Sequence, residues 1–182
     1  NSSVSVSLTS GNSATPAVNV GSSLPLTLSI TNSSELELAD ATVNLTVAGR
    51  VADLVQLSTN PTGTKSKGTL TWTKQQVPAL ASLRPCDKVD FTITVPTLSS
   101  FTPARTDRNL EITANASVTS PSLAAAGAAT NTPQATITAK VNSTLTLTSI
   151  GRYFSDAGTA VGSGPLPPEV GKTTKYRITW TV

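Results

Sequence analysis

The stretch Val20-Gly21-Ser22-Ser23-Leu24-Pro25-Leu26-Thr27-Leu28-Ser29-Ile30 decides the fold, because its apolar residues fall on every second position. That spacing is typical of a β-strand with one face in a core and the other in water. A copy follows 150 positions later, without a gap, as Val170-Gly171-Lys172-Thr173-Thr174-Lys175-Tyr176-Arg177-Ile178-Thr179-Trp180. A unit that begins twice in one chain predicts an array of modules.

Apolar residues alternate with small polar ones along most of the chain, which predicts strands and few helices. The alternating segments are residues 4–8, 24–30, 41–47, 89–95 and 110–118, with shorter candidates at 52–57, 70–72 and 135–141. Residues 122–129 have helix propensity, but their glycine and polar flanks favour a loop. Short strands without helical crossovers predict an all-β fold, an immunoglobulin-like antiparallel β-sandwich, with a barrel as the alternative.

The composition predicts a folded chain that is polar without being ionic. Serine and threonine make up roughly 30% of the 182 residues, whereas charged residues make up 13%. Disordered chains combine low hydrophobicity with high net charge. Here hydrophobic residues reach 37% and the formal net charge is only +3. The chain therefore has enough apolar residues to bury a core.

Several classes of function are disfavoured by what the sequence lacks. The 13 lysines and arginines are scattered among 10 acidic residues, and aromatic residues make up only 4%, so no nucleic-acid partner is expected. With no histidine and only Cys86, an ordinary zinc, copper or haem site is not expected, and no other cofactor is predicted. No apolar run is long enough to cross a bilayer, so this segment is not expected to insert into a membrane.

One acidic cluster is a candidate calcium site. Glu35 and Glu37 lie two positions apart, and Asp40 follows closely. Their oxygen ligands suit calcium, which could bind between modules. The ligand spacing of a known calcium loop is absent, however.

The pattern divides the chain into residues 1–141, an immunoglobulin-like sandwich, and residues 142–182, the first strands of a following repeat. Alternation continues from Ala135 to Leu147. Nothing in the proposed inter-repeat junction, Val141, Asn142, Ser143 and Thr144, resembles a flexible glycine- and serine-rich linker. We therefore expect the last strand of the first repeat to run nearly straight into the second.

The terminal strand has an apolar side that needs a partner. Tyr176, Ile178, Trp180 and Val182 alternate with polar residues, and a two-stranded sheet is marginal alone in water. The strand therefore predicts pairing, either within a complete second sandwich of the same polypeptide or with a neighbouring subunit by strand addition.

Two stretches carry a resemblance to a known family. Leu70-Thr71-Trp72, followed by Val77-Pro78-Ala79-Leu80 and the alternating strand at residues 87–95, resembles tandem immunoglobulin-like repeats of prokaryotic cell-surface proteins. Residues 162–176 look like the opening of the next repeat in large envelope proteins of small-genome, uncultivated bacteria. The resemblance implies an extracellular stalk, filament or surface-layer module, and it implies no catalytic residues.

The expected function is therefore non-enzymatic and structural. The chain would be a cell-surface repeat module whose sandwiches join end to end, with neighbouring repeats or copies of the same protein as partners. The alternative is an adhesin that recognises a glycan or protein through loops at residues 60–63 or 120–131.

Overall fold

The computed structural model describes residues 4–11, 13, 15–102, 104, 107, 110–125, 132–142 and 147–181. The chain forms two compact units, Asn1–Ser143 and Thr144–Val182. Ser143 and Thr144 of the predicted junction lie outside the described residues, as does Val182 of the terminal strand. The predicted straight passage from one repeat into the next stays a prediction.

The first unit is built almost entirely of strands. Along the chain it forms β1 (Val4–Thr9), β2 (Ala17–Asn19), β3 (Ser23–Asn32), β4 (Leu38–Ala39), β5 (Thr42–Ala48), β6 (Ser58–Asn60), β7 (Thr64–Ser66), β8 (Thr69–Trp72), a 3-10 turn (Pro78–Ala81), β9 (Ser82–Leu83), β10 (Lys88–Pro96), β11 (Glu111–Thr119), α1 (Pro121–Ala125) and β12 (Gln134–Asn142). The prediction of an all-β fold is confirmed.

The strands form two sheets of different size. One has the order β1-β3-β10-β6 and the other the order β2-β12-β11-β5-β8-β7, while β4 and β9 form a small separate pair. All the pairings are antiparallel except that of β2 with β12. The neighbours β1-β3-β10 and β12-β11-β5 correspond to strands A-B-E and G-F-C of the immunoglobulin sandwich. The predicted immunoglobulin-like sandwich is therefore the fold, and the barrel is excluded.

The core lies between the two sheets, as the alternation requires. Along β3, Leu24, Leu26, Leu28 and Ile30 are buried in turn, and β5 and β11 bury every second residue against them. Trp72 from β8 is fully buried, and its ring lies 4.7 Å from that of Phe91. Apolar burial of this kind contributes most of the stability of a sandwich.

Two local predictions were wrong. Residues 52–57 form a loop rather than a strand, because the Asp53 carboxylate accepts hydrogen bonds from the backbone N–H groups of Val55 and Gln56. This local hydrogen bonding, an Asx-turn, competes with strand pairing. The segment expected to be a loop begins with the short helix α1, where Ser120 accepts a hydrogen bond from the Ser122 N–H and Pro121 opens the helix. The rest of that segment lies outside the described residues.

The second unit is a two-stranded hairpin with a long connection. Its strands are β13 (Thr148–Arg152) and β14 (Arg177–Thr181), which pair antiparallel. The connection folds back on itself: Ser163 and Lys175 exchange backbone hydrogen bonds of 3.1 and 2.7 Å. The Tyr153 ring lies edge-on to those of Phe154 and Tyr176.

Candidate assembly surface

The sequence repeat is matched by a repeat in the backbone. The turn before β3 and the turn in the second unit each place a glycine in the left-handed region, Gly21 and Gly171, both at φ 79°. The same backbone hydrogen bond closes both turns at 3.1 Å: Ser22 donates to Asn19, and Lys172 donates to Glu169. Glycine adopts this conformation without steric cost, which explains why it stands in both copies.

The strands that follow the two turns also pair in the same way. In the first unit, Ile30 lies opposite Val6 of β1, and Leu28 lies opposite Leu8. In the second unit, their counterparts Trp180 and Ile178 of β14 lie opposite Ser149 and Gly151 of β13. The hairpin β13–β14 is therefore the structural counterpart of β1–β3.

Side-chain size is exchanged at one of these two cross-strand pairs. Where the first unit has valine opposite isoleucine, the second has serine opposite tryptophan; where the first has leucine opposite leucine, the second has glycine opposite isoleucine. At the first pair the smaller residue on β13 offsets the larger one on β14, whereas at the second pair leucine becomes glycine and the residue on β14 keeps its size. Cores tolerate substitutions of this kind best when they conserve the total volume.

The face that is buried in the first unit is exposed in the second. Leu26, Leu28 and Ile30 have at most 1% of their surface exposed. Their counterparts Tyr176, Ile178 and Trp180 have 46%, 64% and 70% exposed. Leu147, which the strand alternation places on the same side, is also exposed. We call the four residues Leu147, Tyr176, Ile178 and Trp180 the apolar hairpin face.

The first unit shows what normally completes such a hairpin. The edge of β3 that faces away from β1 pairs along its length with β10, from Lys88 opposite Thr31 to Pro96 opposite Ser23. Just after β10, the Thr97 hydroxyl accepts from the Ser22 N–H at 3.0 Å and lies within hydrogen-bond distance of the Asn19 and Ser22 carbonyls. Thr97 thereby fixes the turn that precedes β3.

In the second unit, β14 has one neighbouring strand, β13, among the described residues. Its other edge therefore presents backbone N–H and C=O groups that no described strand pairs. The sequence predicted that Tyr176, Ile178 and Trp180 need a sheet, and the structure places them together on one face. Sequence reasoning missed Ser149, Gly151 and Thr97, because their roles follow from cross-strand register and a turn contact.

The calcium candidates are engaged with protein groups. The Glu37 carboxylate accepts a hydrogen bond from the Ser82 hydroxyl, and Asp40 forms an ion pair with Lys74 at 2.8 Å. Within the described ranges, no three acidic or cysteine side chains are placed to share a metal ion. The structure therefore does not bring Glu35, Glu37 and Asp40 together as a ligand set.

At the end of β12, Val141 lies opposite Val18 and Asn142 opposite Asn19. The Asn142 side-chain amide donates to the Asn19 side-chain oxygen at 2.9 Å. These two junction residues are thus held within the first unit. No helix in the described part of the chain is long and apolar enough to cross a bilayer.

Asp90, on the outer face of the first sheet, has a carboxyl group with a lowered pKa. A hydrogen bond from Ser29, together with the Lys88 ammonium 3.0 Å away, lowers the pKa of Asp90. A lowered pKa in the folded state stabilises the fold above the ordinary carboxyl range, and this contribution is lost as the pH falls through the folded pKa. Because Asp90 is half exposed, the effect on stability is small.

The loop at residues 60–63, predicted as a possible ligand contact, helps to hold the core. The Trp72 indole N–H donates to the Pro61 carbonyl at 2.8 Å. A Cβ at Gly63 would lie 2.7 Å from the same indole nitrogen, so only glycine fits there. The other predicted loop, residues 120–131, is described only as far as α1.

Comparison with known proteins supports the fold and goes no further. No family model matches the chain, and no curated protein matches it. Trypsin-activated alpha-2-macroglobulin from Escherichia coli is similar over 84% of this chain, with a TM-score of 0.50 and 16% identity. The similar region is 8% of the macroglobulin chain. The CARDB domain of the PF1109 protein from Pyrococcus furiosus, solved with di-metal ions, has a TM-score of 0.42 and 16% identity over 76% of this chain and 87% of that chain.

The first unit thus has an immunoglobulin-like β-sandwich fold.

Proposed function

We propose that this chain is a structural repeat module of an extracellular, cell-surface filament, stalk or surface layer, with neighbouring repeats or copies as its partners. The observation that carries the proposal is the second copy of the turn and strand. Gly171 repeats the conformation of Gly21, and Trp180 and Ile178 occupy the positions of core residues. A polypeptide that begins the same module twice has the organisation of a tandem array.

The first unit has the properties that an array module needs. Its core residues all come from the first unit itself, from Val4 in β1 to Ala139 in β12, so each module can be stable before it is joined to the next. Its outer faces carry serine, threonine and asparagine rather than a dense field of one charge, which limits repulsion between neighbouring modules. The proposed role is mechanical and requires no reaction.

The proposal is tested by joining complete modules. Chains with one, two and four copies of residues 1–142 are expressed and imaged by negative-stain electron microscopy. A structural array predicts particles whose length grows by a constant increment per copy. Compact or variably bent particles would contradict the proposal, as would saturable binding of a glycan or protein that depends on residues 60–63.

A further inference from the structure

In the described part of the second unit, no strand takes the place of β10 and no residue takes the place of Thr97. The outer edge of β3 is paired by β10, and the preceding turn is fixed by Thr97. The corresponding edge of β14 has no described neighbour, and the apolar hairpin face stays exposed. One strand could pair this edge, help cover the apolar hairpin face and reach the turn.

We propose that the free edge of β14 accepts an antiparallel strand, the counterpart of β10 in the repeat that the hairpin β13–β14 begins. This inference rests on the proposed function and names the partner within it. Transfer of the β10–β3 register places the counterpart of Phe91 opposite Ile178 and that of Val89 opposite Trp180. The counterpart of Thr97 then reaches the turn at Gly171.

The partner strand has defined chemistry. It carries large apolar residues at alternate positions, as Val89, Phe91, Ile93 and Val95 do, and a threonine two positions after the last of them. The alternation covers one face, the backbone pairs with β14, and the threonine hydroxyl closes the turn. Strand addition of this kind draws affinity from main-chain hydrogen bonds and specificity from alternate side chains.

A second folded copy of this chain is a poor donor of that strand. Its own β10 lies between β3 and β6, and Phe91, Ile93 and Val95 have none of their surface exposed. Donation would open a formed core and expose these residues. The free energy lost would be that of transferring several buried apolar side chains into water. The Ser149–Trp180 pair, which is similar in total size to the Val6–Ile30 pair of the first unit, also favours completion by a strand of the same repeat type.

The test uses the whole chain and a synthetic peptide of residues 88–98, which contains β10 and Thr97. The peptide has no tryptophan, Trp72 is already buried, and Trp180 is 70% exposed. Binding in the proposed register should therefore shift tryptophan emission to shorter wavelength and reduce quenching by acrylamide. The Trp180→Phe variant should lose this response.

Two matched substitutions test the face. Ile178→Ser removes an apolar side chain from the apolar hairpin face, and we expect peptide affinity to fall about tenfold. Ile150→Ser removes the same side chain from the opposite side of the hairpin, where Ile150 lies opposite Thr179, and should change affinity less than about twofold. Amide NMR spectra establish that β13 and β14 remain paired in both variants.

Three results would overturn the proposal: no emission shift with the peptide, equal losses from the two isoleucine variants, or burial of Trp180 by self-association without the peptide. The last result would assign the edge to a second copy. If the peptide does not bind but joined modules still form regular rods, the proposed partner of β14 is rejected and the proposed array stands. Peptide binding without regular rods would instead reject the proposed array.

Discussion

At the residue scale, Asn32 at the end of β3 connects three segments of the first unit. Its side chain is fully buried, and its amide donates to the Leu36 and Leu83 carbonyls at 2.8 Å each. Its oxygen accepts hydrogen bonds from the Ser34 backbone N–H and hydroxyl. Every polar atom of this side chain has a partner, which is the condition under which a buried amide stabilises a fold.

Asn32→Asp should strongly destabilise the first unit. The substitution replaces a donor with an acceptor that faces two carbonyl oxygens, at a cost of about 2–5 kcal/mol near neutral pH. Burial and these carbonyls would raise the pKa of the new carboxyl in the folded state. The variant should therefore lose stability as the pH rises through that pKa and recover part of it in acid. Urea unfolding from pH 4 to pH 8 measures this.

Asn115→Asp is the matched control for this substitution. Asn115 lies on the exposed face of β11, where its side-chain oxygen accepts a hydrogen bond from Thr136. Its carboxylate would keep that acceptor in water, so we expect a change within about 0.5 kcal/mol. Equal losses from the two variants would show that Asn32 is not the connection that its hydrogen bonds indicate.

At the scale of elements, Thr97 joins the end of β10 to the turn before β3. Thr97→Val keeps the shape of the side chain but removes its hydroxyl, so the Ser22 N–H loses a bond of 3.0 Å in a partly buried setting. We expect a loss of about 1–2 kcal/mol in the free energy of unfolding. Thermal and urea unfolding measure it.

Thr92→Val provides the comparison on the same strand. Thr92 is exposed, and valine has a higher strand propensity than most residues, so its stability should stay the same or rise slightly. If Thr97→Val were as mild as Thr92→Val, the contact with the turn would have no energetic role in the first unit, and its counterpart could not be expected to matter in the second.

The strands could be predicted from the sequence because a period of two is visible in any half-buried strand. Residues 24–30 and 89–95 show this, and they form the centre of β3 and β10. Residues 52–57 were predicted wrongly because hydrophobicity does not reveal that Asp53 will bind the backbone of its neighbours. The cross-strand partners of the apolar hairpin face could not be predicted either. The pairing of Trp180 with Ser149 depends on a register set by a connection of 24 residues between β13 and β14.

At the scale of the whole molecule, we expect the apolar hairpin face to fold cooperatively with any strands that can complete its sandwich. A chain of residues 1–181 followed by residues 32–142 supplies every strand that follows β3 in the first unit, but no second β1 or β3. The added strands can complete a sandwich only with β13 and β14. If these two strands are the counterparts of β1 and β3, the extended chain should contain two complete sandwiches.

The calorimetric heat of unfolding of that extended chain should then exceed that of residues 1–182 by about the heat of one complete sandwich, because the heat scales with the number of residues that unfold cooperatively. Ile178→Asp with Trp180→Asp should abolish the second contribution and leave the first, since two charges would enter the new core. A Trp180→Ile version of the extended chain controls for overpacking of the new core, because isoleucine is the residue at the equivalent position 30. If neither the native nor the Trp180→Ile version gains heat, β13 and β14 are not the first strands of a repeat.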